Sequence, residues 1–257
     1  MTDRKLFSFV EDGEKYIQLN VLWQWISLLA ECAFVYAAAL TMDALYSGLS
    51  GGVLGIFAVM TATGAILVRY MCTRAQSRCI DLSSCAAKED LQEMIFAKCN
   101  DERISEEART ALKNVDPFAQ YYSEYVPQYR YAVVAPVTLF IVLYLISWKA
   151  ALVLLGFAAL LYALIRRNQK QPLRPACMEL AAYIGAAFGM ITALLELKNH
   201  SIQIYGCMMI ILLSLEFFLP MLKVGKEARI YKEGTAASDQ ISAYLGSEED
   251  GREGDGE

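Results

Sequence analysis

Polar and apolar positions alternate along this chain in blocks, not in fine periods. Six long apolar runs, residues 21–45, 53–71, 131–148, 150–165, 176–197 and 204–222, are set apart by short polar stretches and one long one. A bilayer core of about 30 Å takes roughly 20 apolar helical residues, so each run is long enough, or nearly so, to cross once. Only Lys149 separates the third run from the fourth. Together they far exceed one crossing, which predicts two spans turning at Ser147-Trp148-Lys149. Runs such as MMIILL are apolar on every side and lack the two-residue alternation of a membrane β-barrel. The pattern therefore predicts an all-α fold: a polytopic membrane protein with six transmembrane helices, carried by residues 21–245 after an N-terminal segment of residues 1–20.

The long polar stretch, residues 72–128, is rich in Ala, Glu, Lys and Leu and reads as a helical extension outside the membrane. Ser83 and Ser84 are candidate caps there. Leu91, Met94, Ile95 and Cys99 recur at helical spacing on one face. After a break at Asn100-Asp101, Ser105 is the next candidate cap, with Glu106 and Glu107 in the first turn. Trp23, Trp25, Trp148 and the tyrosines at 121, 122, 125, 129 and 131 sit where interfacial aromatic belts are expected. Pro127, Pro136 and Pro220 are expected to bend or end their helices.

Charge sets the orientation. Of the 23 Lys and Arg residues, all but Lys149 and Lys198 fall in segments that share one side of the membrane. That asymmetry puts both termini in the cytoplasm. A net charge of −5 argues against a nucleic-acid partner. The final stretch, GSEEDGREGDGE (residues 246–257), is predicted to be an acidic disordered tail. Seven scattered cysteines form no CxxC pair and predict neither a disulfide framework nor a metal site.

The catalytic motifs fail one by one. Leu49-Ser50-Gly51-Gly52 begins like the nucleotide-sandwich signature of transport ATPases, but Val53 stands where Gln is expected. Gly225-Lys226 resembles part of a phosphate loop, but Pro220 and Glu227 replace the Gly and the Ser or Thr it requires. His200, the single histidine, lies in a short polar loop and has no second histidine or triad to work with. No catalytic, metal or cofactor residue is assigned, and the chain is not expected to be an enzyme. The informative polar residues are carboxylates inside apolar runs, because charge in hydrocarbon is costly and normally faces a cavity or a partner. Glu31 and Glu216 lie deepest and are the candidate substrate-pathway residues, with a structural pairing between helices as the other reading. Glu179, Glu196 and Asp43 lie near span ends, where water is close. Gly185 and Gly189, four apart among alanines, form a small-residue face for helix packing.

At the run LLSLEFFLPMLKVGKEARIYKEGTAASDQI (residues 212–241) the chain resembles the last span and exit linker of the transmembrane half of an ABC exporter of the CydD type. Residues 125–155, 181–197 and 5–30 extend the similarity in the family's order. That family is associated with export of cysteine and glutathione and with cytochrome bd assembly. The resemblance implies an ABC transmembrane type-1 domain in a bacterial plasma membrane, a second transmembrane half as homo- or heterodimer partner, and a separate ATPase subunit. It also implies a coupling helix between the fourth and fifth spans, yet RRNQKQPLRP (residues 166–175) is only ten residues long. The first extension is shortened between Lys98 and Gln120, and the sequence ends where a nucleotide-binding domain is expected. Two readings follow: a permease part of an exporter served by an ATPase elsewhere, or a remnant of a fused half-transporter. A rival is a non-transporting membrane protein that binds or modulates another transporter through the Gly185/Gly189 face. An ion- or proton-coupled carrier built on Glu31 and Glu216 ranks below both, since no inverted repeat is visible.

Overall fold

The structure is a computed structural model that describes residues 11–48, 52–98, 106–170 and 175–246. Among these residues the regular structure is entirely helical: α1 (Glu11–Tyr46), α2 (Gly52–Lys98), α3 (Glu106–Gln120), a π-turn (Tyr121–Tyr125), α4 (Val126–Tyr144), α5 (Trp148–Lys170), α6 (Pro175–Lys198), α7 (Ile204–Glu216), α8 (Leu219–Lys226) and α9 (Ala228–Gly246). Six helical stretches are long and apolar enough to cross a membrane. The predicted break at Asn100-Asp101, the Ser105 cap, Cys99, Ser50 and the tail beyond Gly246 lie outside the described residues.

The helices fall into two length classes. At 1.5 Å per residue, the 47 residues of α2 extend about 70 Å and the 36 of α1 about 54 Å, well beyond a bilayer core of about 30 Å. By contrast α5, with 23 residues, and α6, with 24, are each about 35 Å long. Contacts between helices divide the chain into two compact units. Among the described residues, one comprises residues 11–20, 76–98, 106–127 and 227–246, and the other residues 21–48, 52–75, 128–170 and 175–226.

In the first unit α3 is amphipathic. Ala108, Ala111, Val115, Phe118 and Ala119 are buried at spacings of three and four, while Glu106 and Glu107 face the N-terminal end of the helix dipole. Ala87, Leu91 and Ile95 of α2 and Ala237 and Ile241 of α9 are also buried. Lys88 pairs with Asp116 at 2.7 Å. The Lys98 ammonium donates to the carbonyls of Tyr244 and Leu245 at 2.5 and 3.3 Å, satisfying the open end of α9. Ser83 and Ser84 cap nothing, because α2 runs unbroken through them; the Ser83 hydroxyl instead donates to the Ile80 carbonyl within the helix. Tyr121, Tyr122 and Tyr125, expected at an interface, are buried. Tyr121 and Tyr125 pack on Tyr231 with ring centroids 6.1 and 5.3 Å away, and Tyr122 stacks on Phe118. The π-turn that carries them follows from Pro127, whose missing N–H cannot bond Ser123, so the Val126 N–H reaches back five residues to Tyr121.

In the second unit α5 buries Ala150, Ala151, Leu154, Ala158, Leu161 and Ile165 at helical spacing, and α7 buries Cys207, Met209, Ile210 and Leu213. Exposed apolar residues dominate the other faces, as lipid contact requires. The turn between α4 and α5 falls at residues 145–147, slightly earlier than predicted, because Ser147 caps α5 by accepting the Ala150 N–H at 3.1 Å. Helix α6 closes with His200 in the left-handed region (φ 54°) and the Ser201 N–H on the Glu196 carbonyl, the six-to-one bond of a C-terminal helix cap. Pro136 lies inside α4 without ending it.

Candidate functional site

The two deep carboxylates converge. Glu31 of α1 and Glu216, the last residue of α7, have their carboxyl groups within hydrogen-bonding reach of each other. Arg69 of α2 completes the group, its guanidinium 3.4 Å from Glu31 Oε1. Tyr131 of α4 and Cys32 of α1 lie close enough to feel both carboxylates. The Glu31 side chain is 22% exposed and that of Arg69 64%, so the guanidinium has room to leave while the carboxylate does not.

Backbone geometry places Glu216. Pro220 has no N–H, so the Glu216 carbonyl lacks its usual donor four residues on, and α7 stops there. Phe217 and Phe218 fill the break, fully buried and edge-to-face at 5.4 Å. A broken helix inside an apolar segment leaves backbone acceptors next to a charged side chain, an arrangement tolerated only in protein or beside a cavity. Such a cavity, of about 180 Å³, lies between α1 and α2. Ser27, Glu31 and Phe34 line one side and Ala62, Ala65, Ile66 and Arg69 the other. Its volume is below the roughly 300 Å³ at which drug-sized sites begin, so it suits a small polar molecule or water.

Gly185 and Gly189 face the chain's own helices. A Cβ at Gly185 would stand 2.7 Å from Phe157 Cβ and 2.8 Å from Phe218 Cζ, and one at Gly189 would stand 2.7 Å from Leu154 Cδ2. The face is therefore filled by α5 and by residues at and after α7, which leaves no bare surface there for another protein.

The remaining carboxylates divide. Glu179 pairs with Lys226 at 2.7 Å and is partly exposed. Glu196, expected near water, is buried: it accepts a hydrogen bond from the Ser147 hydroxyl and pairs with Lys149 at 3.5 Å, which ties α6 to the turn before α5. Asp43 accepts a backbone bond from Ser47 at the end of α1. Trp25 donates to Thr138 at 3.1 Å, linking α1 to α4. No group of three or more His, Cys, Asp or Glu side chains that could hold a metal ion occurs among the described residues. Tyr131 stands out in the sequence only as one of the interfacial aromatics, and Cys32 not at all; the signal for Arg69 is its position at the very end of an apolar run.

Six apolar helices, with carboxylates gathered where one of them breaks, define an integral membrane protein of the polytopic helical class. No family model matches the chain. Across 88% of its length it is similar, at 25% identity, to an uncharacterized ABC transporter ATP-binding protein of Haemophilus influenzae. The match takes in 52% of that protein, so the chain spans about half the length of the curated relative it matches. The alignment runs over 297 residues, more than the 257 present, so segments of the relative have no counterpart within this chain. Likeness to an ABC transporter protein and six candidate spans together support a component of membrane transport.

Proposed function

We propose that this chain is the membrane-spanning permease part of an ABC-type exporter. The observation that carries the reading is the match to an ABC transporter protein along 88% of the chain, helices included. The lengths of α1 and α2 support it, since helices about twice the bilayer thickness suit a protein that passes motion between membrane and cytoplasm. ATP hydrolysis belongs to an ATPase domain outside these residues, fused or separate, and a second transmembrane half completes the path. Both termini lie on the cytoplasmic side of a bacterial plasma membrane, an orientation that the basic-residue asymmetry supports. Glu31 and Glu216 line the substrate path, supported by their convergence with Arg69 beside a small cavity. Gly185 and Gly189 serve close packing of α6. Small thiols such as cysteine or glutathione are the substrate class implied by the CydD-type resemblance.

The test is transport. Inverted vesicles carry the chain and a second half, with an ABC ATPase domain either added in trans or fused after residue 246, and receive ATP with labelled cysteine or glutathione. The chain alone neither binds nor hydrolyses ATP. Uptake appears with the fused domain and is weaker in trans, because the short link between α5 and α6 offers little for a separate subunit to grip. Uptake no greater than in vesicles lacking the chain, under every pairing, removes the transport reading.

A further inference from the structure

The ends of α5, α6 and α8 meet at one membrane depth and carry an excess of positive charge. A Cβ built on Gly225 would overlap the Met178 side chain and lie 3.6 Å from Ile165 Cγ1, so these three helices touch at that level. The residues next in sequence are Arg166, Glu179 and Lys226, and Arg167 and Lys223 lie close by along α5 and α8. All four basic side chains are exposed, and Glu179 neutralises only Lys226.

Depth tells what faces them. From Trp148, an exposed aromatic at the other end of α5, to Arg166 is about 27 Å of helix, close to the thickness of a bilayer core. The side chains one turn deeper are exposed and apolar or aromatic: Tyr162 four residues before Arg166, and Leu219 four residues before Lys223. A cation above an exposed apolar group, repeated on two helices, matches a molecule with an anionic head and a hydrocarbon tail. An acidic protein partner would have no use for the lower layer.

We propose that Arg166, Arg167, Lys223 and Lys226 form a collar that binds anionic phospholipid. The collar stands at headgroup level because α5 and α6 end there, whereas α1 and α2 continue far beyond a bilayer's thickness. Glu179 tempers it by holding Lys226.

The full-length chain in detergent is offered phosphatidylglycerol and phosphatidylcholine of identical chains, and retained lipid is counted by native mass spectrometry. At about fivefold per net positive charge, the three charges left after the Glu179 pairing predict a preference for phosphatidylglycerol on the order of a hundredfold. Glu179→Gln frees Lys226 and raises the preference about fivefold further. The combined variant R166Q/R167Q/K223Q/K226Q loses it, and Lys198→Gln at the opposite end of α6 does not. If the combined variant does not fold, a salt titration of the native protein decides: the preference collapses with ionic strength if the collar is right. Equal retention of the two lipids, a preference indifferent to both salt and Glu179→Gln, or complete displacement by excess inorganic phosphate would overturn the proposal, the last by marking a site for the free ion.

Discussion

Replacing Gly185 and Gly64 by alanine separates packing from helix propensity. Both glycines lie inside helices that cross the membrane, so the intrinsic gain of about 1 kcal/mol for Gly→Ala applies to each and drops out of their difference. A Cβ at Gly64 meets nothing within 4 Å. At Gly185 it meets Phe157 Cβ at 2.7 Å, Phe218 Cζ at 2.8 Å and Phe157 Cγ at 2.9 Å. Phe157 presents its Cβ, which cannot swing away, and Phe218 is fully buried against Phe217. Overpacking of this kind costs about 1–3 kcal/mol. For a chain of this size that corresponds to a melting temperature roughly 2–12 °C lower for Gly185→Ala than for Gly64→Ala. The buried thiols Cys32, Cys72, Cys79 and Cys207 supply the assay, since a thiol-reactive dye gains fluorescence as heating exposes them. Gly225→Ala is an internal check: the obstructing atom is the terminal methyl of Met178, the far end of a flexible side chain, so its penalty is smaller than at Gly185. Indistinguishable melting of the Gly185 and Gly64 variants would refute the claim that α6 approaches its neighbours as closely as described.

Two further predictions concern the path and the orientation. Glu31→Gln and Glu216→Gln insert normally but lower vesicle transport by about tenfold or more, the effect of losing one charge-assisted contact, whereas Glu179→Gln, which breaks only a solvent-screened ion pair, leaves transport near its starting level; equal, negligible effects at all three positions would remove the carboxylate pair from the path. In a background without native cysteines, Ser201→Cys reacts with an impermeant thiol reagent on intact cells and Ala236→Cys does not, and labelling at position 236 would invert the topology. Ala236 is exposed, which matters because the nearby Ser238 is fully buried and would stay silent on either side.

The apolar blocks made the six long helices legible, because the length of an apolar run is a one-dimensional quantity that the bilayer converts directly into an element. Boundaries that depend on a single side chain were less legible. Ser83 and Ser84 look like caps, yet the helix continues, since nothing after Ile80 supplies a Gly or Pro to stop it and the serine hydroxyl can bond within the turn. Pro220 was legible as a helix end, and its consequence for the Glu216 carbonyl follows from chemistry alone. What could not be read were the pairings across long separations. The tyrosines at 121 and 125 meet Tyr231, more than a hundred residues away, and so lie in a protein core where local sequence suggested an interface. Glu31 and Glu216 each stood out as a charge in an apolar run, but nothing in either run says that they share a site. Arg69 was counted as one more basic residue at a span end, although from there it also reaches Glu31. The same residue therefore enters two arguments. A cation partly neutralised by a neighbouring carboxylate contributes less to the surface charge that orients the chain, and with 21 basic residues against two the orientation does not depend on it.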